Sequence, residues 1–341
     1  MIRGGRERIA HKPALASSCS LFPFSSVPSV SSVVNTYQRR WRGEKGMAMA
    51  AKEPIGFIGL GVMGEPMCAN LARKCGMPVI AYDLRAEPLA RLGNEGVRAV
   101  PSAAELAREA GTVMLSLPSG NELLALAEGE EGLLALCRPG QLVVDLGTSP
   151  VGLTRALAER FARKGADYAD GPVARTREAA QAGTLSIMVG ASKAVFRRLE
   201  PLLACFASDI THCGEVGAGQ VVKLVNNMVL FEIGTALGEG LALARRAGVK
   251  GELLFATLAK GSADSFALRN HGMKAMLPGL FPERAFSAEY ALKDVSYALE
   301  LAREAGLRLR GAELARELLQ GAIKEGHGAL YWPVIARLID A

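Results

Sequence analysis

One short segment constrains this chain more than any other: an apolar run that ends in glycines and opens a helix. Residues 55–64 read Ile-Gly-Phe-Ile-Gly-Leu-Gly-Val-Met-Gly, which puts Gly59, Gly61 and Gly64 in the G-x-G-x-x-G spacing. Gly59 permits a tight turn after a strand, Gly61 lets the backbone approach a pyrophosphate, and Gly64 lets helix and strand pack closely. The spacing alone is weak, because three glycines also fit an ordinary turn. Here a strand pattern precedes it, a helix pattern follows, and Asp83 closes the second strand candidate nineteen residues after Gly64, where an acid is expected on adenosine ribose hydroxyls. The expected dinucleotide cradle is therefore Gly59, Leu60, Gly61, Val62, Met63 and Gly64, with Asp83 beside it.

Asp83 repels a ribose phosphate, and Arg85 two residues on offsets this in part. The pair favours NAD without excluding NADP. Strand candidates at Ile55–Gly59, Pro78–Asp83, Thr112–Leu117, Gln141–Leu146, Asp167–Ala169, Leu185–Gly190 and Ile210–Cys213 alternate with helical patterns at 87–95, 103–110, 153–164 and 194–204. Such alternation predicts βαβ units around a doubly wound parallel sheet. Leu117, Pro118 and Thr148 lie at strand ends, where such a sheet opens its ligand crevice.

After Gly214 the β-type runs stop. An apolar-periodic segment from about Gly219 to Ala247 opens a purely helical half, with further helices expected at 251–260, 287–305, 312–325 and 332–339. With 341 residues the chain exceeds the roughly 250 to 300 at which one core stops growing. We expect a dinucleotide domain over 52–213 and an all-helical domain over 214–341, joined by the long helix.

The net charge of +6 resides in residues 1–46, which hold eight basic residues against two acidic; the remaining chain balances at 32 against 32. A neutral body gives no electrostatic footprint for nucleic acid. That first stretch reads as a disordered leader. It is either an Arg- and Ser-rich mitochondrial presequence or a false start before Met47, since Gly43-Glu44-Lys45-Gly46 is written by the purine-rich codons of a ribosome-binding site. The expected location is cytoplasmic, or the mitochondrial matrix if the presequence is real. The six cysteines show no C-x-x-C pair or His spacing for a metal. The apolar stretch after Gln220 is interrupted by Lys223, Asn226, Asn227 and Glu232, so no membrane association is expected.

Several blocks resemble the β-hydroxyacid dehydrogenases typified by 3-hydroxyisobutyrate dehydrogenase. They are Gly59-Leu-Gly-Val-Met-Gly-Glu-Pro-Met-Cys-Ala-Asn70, Asp145-Leu-Gly-Thr148-Ser-Pro, Asp170-Gly-Pro-Val173, Ala182-Gly-Thr-Leu-Ser-Ile-Met-Val-Gly190, Gly217-Ala-Gly-Gln-Val-Val-Lys223-Leu-Val-Asn-Asn227 and Leu292-Lys-Asp294. The resemblance implies a Rossmann-type domain followed by an all-helical one, a site in the cleft between them, and a homodimer or homotetramer. It also implies Lys223 as the catalytic lysine, Asn227 as its substrate-orienting partner, and Thr148 and Lys293 as cofactor contacts.

The residues around Lys223 agree. A helical lysine is usually solvated, yet this one is flanked by Val221, Val222, Leu224 and Val225, with Asn227 four residues on along the same face. Partial burial lowers a lysine pKa and suits it to exchange a proton with a substrate oxygen. The expected reaction is hydride transfer between a nicotinamide and the carbinol carbon of a small anionic hydroxyacid or its semialdehyde.

One block departs from the family. Where most members read Pro-Val-Ser-Gly-Gly, this chain has Pro172-Val173-Ala174-Arg175-Thr176. A backbone anion cradle becomes a guanidinium site, which resembles the branch that reduces sulfolactaldehyde and succinic semialdehyde. Ala174, Arg175 and Thr176 are thus expected at the substrate, the bland alternative being a solvated turn arginine. Imine reductases and non-catalytic binding modules share the scaffold but replace the lysine that this chain keeps.

Overall fold

The structure is a computed structural model and describes residues 53–340. The expected leader lies outside the described residues. The chain first builds β1 (Ile55–Ile58), α1 (Gly64–Lys74), β2 (Val79–Tyr82), α2 (Ala86–Gly93), β3 (Arg98–Ala99), α3 (Ala103–Glu109) and β4 (Thr112–Leu115). Then come α4 (Gly120–Ala127), α5 (Leu133–Leu136), β5 (Leu142–Asp145), α6 (Val151–Ala162) and β6 (Asp167–Asp170). These strands lie in the order β3-β2-β1-β4-β5-β6 and all run parallel. A parallel sheet is covered on both faces, so its strands carry apolar residues on each side. Phe57, Leu142 and Val144 enter one core and Ile58, Val113 and Val143 the other.

Past β6 the expected all-parallel order ends. β7 (Val173–Ala174), α7 (Arg177–Ala182) and β8 (Leu185–Gly190) form a hairpin in which β8 runs antiparallel to both β6 and β7. The pairs Asp170↔Gly190, Val173↔Ile187 and Ala174↔Ser186 share one register, so β7 prolongs the line of β6 beyond the C-terminal edge of the sheet. α7 sits at the hairpin tip, where Asn70 of α1 donates from Nδ2 to the carbonyls of Ala180 and Gln181 at 3.0 and 3.1 Å. After α8 (Lys193–Leu203), β9 (Ala207–Gly214) adds parallel to β8.

The helical half is α9 (Ala218–Arg246), α10 (Gly251–Leu258), a π-helical segment (Leu268–Met276), α11 (Ala288–Glu304), α12 (Arg310–Lys324), a 3-10 turn (Trp332–Ile335) and α13 (Ala336–Ile339). The single helix expected over 332–339 is present as a 3-10 turn that runs directly into a one-turn α-helix, with Pro333 at its start, where a missing N–H costs nothing. α9 has 29 residues and is long and apolar enough to cross a membrane by length and composition. Its buried face is met by protein throughout. Leu224 packs with Val151 and Ala298, Phe231 with Val295 and Trp332, and Leu241 with Phe255.

The first turn of α9 is fixed by a carboxylate from the sheet. Helix N-termini leave unpaired N–H groups, and Asp170, fully buried at the end of β6, accepts from Gly217 and Gln220 at 2.6 and 2.7 Å. The approach tolerates no side chain, since a Cβ on Gly219 would stand 2.7 Å from Asp170 Oδ2. Burial pushes the Asp170 carboxyl up to about 6, with the two N–H bonds opposing and the Asp145 charge adding to the rise. A carboxyl that titrates near 6 when folded and near 3.8 when unfolded holds its proton better in the native state. Its contribution to stability is present below pH 4 and is lost as pH rises through 6. Relative to Asp170→Asn, the parent should therefore lose up to about 3 kcal/mol of unfolding free energy between pH 4 and 7. Urea denaturation of both proteins across that range measures this, and a difference that stays flat or grows with pH would refute it.

Candidate active site

The glycine loop has the shape its spacing predicts. Gly59 turns at φ 91°, in the left-handed region, and a Cβ there would strike the Ser116 carbonyl. A Cβ on Gly64 would collide with the Gly59 carbonyl, so the missing side chain is what lets α1 start against β1. Gly61 differs from both: no protein atom lies within 4 Å of where its Cβ would stand. The room it leaves is on the ligand side, which fits a pyrophosphate.

Around this loop, the Leu60 N–H donates to Asp83 Oδ2 at 2.6 Å, and the Arg85 N–H and Nε–H donate to Asp83 Oδ1 at 2.9 and 3.1 Å. Burial pushes the Asp83 carboxyl up, but the bonds from Arg85 and Leu60 outweigh it and hold the group below the usual carboxylate range. Arg85 also donates to the Leu60 carbonyl at 3.0 Å. Val62 is half exposed on the loop, and Met63 packs partly buried at the N-cap of α1.

The other expected cofactor contacts meet at one point. Lys293 reaches from α11 to donate to the Pro118 carbonyl at 2.9 Å and the Thr148 carbonyl at 3.1 Å, bridging the loops after β4 and β5 next to Leu117. Its ammonium lies over the Tyr290 and Tyr297 rings at 5.6 and 5.4 Å, within cation–π range.

Lys223 is the sixth residue of α9 and is partly buried. Burial pushes its ammonium below the ordinary lysine value; the Asp294 carboxylate draws it back up and the Lys293 charge pushes it further down. Among the described residues it has no hydrogen-bond or ion-pair partner. One turn on, the buried Asn227 donates to Asp294 Oδ2 at 2.6 Å and accepts from Asn226 at 3.0 Å. One turn back, Gln220 accepts the Ser149 N–H at 3.1 Å and donates to the Gly147 carbonyl at 2.9 Å. Thr148 is thereby fixed relative to the turn that carries Lys223. Asp145 completes this network, accepting from Ser149 Oγ at 2.7 Å and the Gly147 N–H at 2.8 Å.

Sequence reasoning missed Asp294, Gln220, Asp145 and Asp170 as site-building residues. The available signal was polar residues embedded in otherwise apolar blocks, and it was read for Lys223 and Asn227 alone.

Arg175 is not brought to this group. Its guanidinium bonds the Thr184 carbonyl at 2.6 Å and Ser208 Oγ at 2.8 Å, and pairs with Asp209 at 2.7 Å. Its backbone keeps φ 84°, the conformation suited to the glycine most of the resembling family carries at this place. Ala174 lies in β7 and Thr176 at the N-cap of α7. Among the described residues no three His, Cys, Asp or Glu side chains are placed to hold a metal ion.

A glycine loop at the C-terminal edge of a largely parallel sheet, followed by a helical half that carries Lys223 and Lys293, is the architecture of a nicotinamide-dependent dehydrogenase of the Rossmann-plus-helical type. Comparisons with known proteins agree. A profile described as the NAD binding domain of 6-phosphogluconate dehydrogenase matches residues 54–214, and one described as NAD-binding of NADP-dependent 3-hydroxyisobutyrate dehydrogenase matches 217–337. The chain is 35% identical to 2-(hydroxymethyl)glutarate dehydrogenase of Eubacterium barkeri over 274 residues, 80% of this chain and 90% of that protein. It is also 35% identical to 3-hydroxyisobutyrate dehydrogenase of Pseudomonas aeruginosa over 237 residues, 70% and 78% of the two chains. The solved Mycobacterium tuberculosis 3-hydroxyisobutyrate dehydrogenase with L-serine superposes with a TM-score of 0.75 at 28% identity, covering 85% of this chain and all of that one. The chain belongs to the β-hydroxyacid dehydrogenase family typified by 3-hydroxyisobutyrate dehydrogenase. It is a hydroxyacid dehydrogenase with NAD-binding domains.

Two glycine variants separate architecture from binding. Gly64→Ala should lower the melting temperature, because a backbone carbonyl stands in the way. Gly61→Ala should leave the melting temperature within about 2 °C of the parent while weakening NADH binding by about tenfold or more. Calorimetry and NADH fluorescence titration check both, and equal melting-temperature losses would contradict the division of roles.

Proposed function

We propose that the protein interconverts a short β-hydroxyacid and its semialdehyde, with Lys223 as the group that carries the proton. The observation behind this is an amine of lowered basicity without a hydrogen-bond or ion-pair partner among the described residues, one turn from both the Asn227–Asp294 pair and the Gln220 that fixes the loop after β5. The bound nicotinamide supplies or accepts the hydride. In reduction Lys223 as ammonium donates a proton to the carbonyl oxygen; in oxidation Lys223 as free amine takes it from the hydroxyl. Asn227, its amide fixed by Asp294, orients the substrate. Lys293 closes the crevice over the loops at Pro118 and Thr148. Replacing Lys223 with Ala should lower kcat by about 10² to 10⁴, and turnover within tenfold of the parent would end the proposal.

The substrate's acid group is the finer question. The Eubacterium relative is named for a glutarate, an acid with a second carboxyl, and an arginine in the substrate hairpin suits a more highly charged acid or a tetrahedral one such as a sulfonate. Arg175 can meet it by exchanging Asp209 for the substrate. That pair is weak because the two side chains are 41% and 56% exposed. On this reading Arg175→Ala raises KM for 2-(hydroxymethyl)glutarate or sulfolactaldehyde by about ten- to a hundredfold and spares 3-hydroxyisobutyrate, whereas Asp209→Asn lowers those KM values. Equal, less than twofold effects on all substrates would make Arg175 a turn residue. Asp83 favours NAD as the working cofactor, while Arg85, which meets the Asp83 carboxylate, leaves NADP open.

We also propose self-association through the helical half. Among the described residues, eleven of the thirteen exposed large hydrophobics lie from Val222 onward, and Val222, Val225 and Val229 line one stripe of α9. Light scattering should give a dimer or tetramer, and a particle of one chain would refute this.

A further inference from the structure

A cavity of about 670 Å³ opens against the glycine loop at Leu60, Gly61 and Val62. Its walls, α1 and α2, carry charges that neutralise one another: Arg91 grips Glu65 with two bonds of 2.6 and 2.9 Å, and Arg73 reaches Glu95 at 2.8 Å. Arg85, also in the lining, has its charge met by Asp83. Two more guanidiniums line the same cavity, Arg177 of α7 and Arg284 of the segment before α11. Among the described residues neither has a hydrogen bond or an ion pair.

Both stand on braced backbone. α7 is tied to α1 by the two bonds from Asn70. Arg284 lies between the bridges Glu283↔Leu330 and Ser287↔Tyr331, and the Tyr331 N–H donates to the Pro282 carbonyl at 3.1 Å. It holds φ 60°, one of two non-glycine residues at positive φ among those described. An arginine adopts that conformation at a cost, and strained positions of this kind cluster at ligand clamps.

We propose that Arg177 and Arg284 form a phosphate-binding subsite against the outer side of the glycine loop. A tetrahedral dianion has oxygens enough to engage two guanidinium forks at once, whereas one carboxylate satisfies a single fork. The cavity exceeds a bare phosphate, so the ligand is a phosphate monoester on a larger body. Two sources share this chemistry: the ribose 2′-phosphate of a dinucleotide, or a phosphorylated small molecule bound next to it. The first source rests on the dinucleotide lying at the glycine loop; the second does not. Either ligand bridges α7 to the segment before α11.

Calorimetric titration of the full chain distinguishes them. ADP-ribose and 2′-phospho-ADP-ribose are compared as ligands of the parent and of the Arg177→Ala/Arg284→Ala double variant, and inorganic phosphate is titrated into both proteins with and without NAD. If the dinucleotide is the source, the double variant binds 2′-phospho-ADP-ribose about ten- to a hundredfold more weakly and ADP-ribose within twofold of the parent. If a separate molecule is the source, inorganic phosphate binds the NAD-saturated parent and that binding vanishes in the variant. Should neither the phosphate-bearing nucleotide nor inorganic phosphate respond to the double substitution, the subsite is overturned. Failure of ADP-ribose itself to bind the parent would instead refute the cofactor placement, and the phosphate titration without NAD would still decide the subsite.

Discussion

The placement of Lys223 depends on one buried carboxylate. Asp170 leaves the end of β6 and accepts the N–H groups of Gly217 and Gln220, so the first turn of α9 is anchored to the sheet and not to a flexible linker. Negative charge is favourable at a helix N-terminus, which offsets part of the cost of burying an acid. The anchored turn then carries Gln220 into the loop after β5 and fixes the start of the turn that bears Lys223. Thr148, which that loop presents, and the lysine are placed by the same few bonds. Gly190 and Gly219 exist to let this contact form, since a Cβ on either would meet the Asp170 carboxylate.

From that anchor α9 serves both halves. Its first turns pack on β8 and α6, while Phe231, Leu237 and Leu241 enter the helical core. Lys293 returns the contact from the other side by bonding carbonyls at the C-terminal edge of the sheet. Hydride chemistry at such a crevice asks for a fixed geometry between cofactor and the proposed proton carrier, and a 29-residue helix clamped at its sheet end supplies a stiff mount.

Much of this was legible in the sequence because local patterns report local geometry. The glycine spacing, the acid at the end of β2 and the alternation of strands with helices follow from periodicity and turn chemistry, and Lys223 stood out as a charge in an apolar helix. The antiparallel turn at β8 was not legible. Its run Leu-Ser-Ile-Met-Val-Gly reads as a strand in either direction, and only pairing through β7 sets the sense. The π-helical segment was likewise silent, because its run Leu-Arg-Asn-His-Gly-Met-Lys-Ala-Met carries no caps or period that separates one helix type from another. Arg175 shows a third limit: sequence located an unusual residue but not its partner, since Asp209 is thirty-four positions away and meets it only through β8–β9 pairing. Asp170 and Asp294 escaped for a related reason, a buried acid being recognisable only once its donors are in place.

The central claim, that Lys223 is the proton carrier held at lowered basicity, is tested most directly by pH profiles of kcat/KM in both directions for the parent and Lys223→Ala. Oxidation needs the free amine, so its rate should climb with pH through a step lying below the ordinary lysine value of 10.5; reduction needs the ammonium and should fall through the same step. Both limbs should vanish in the variant. Profiles that keep the same limbs without Lys223 would contradict the account.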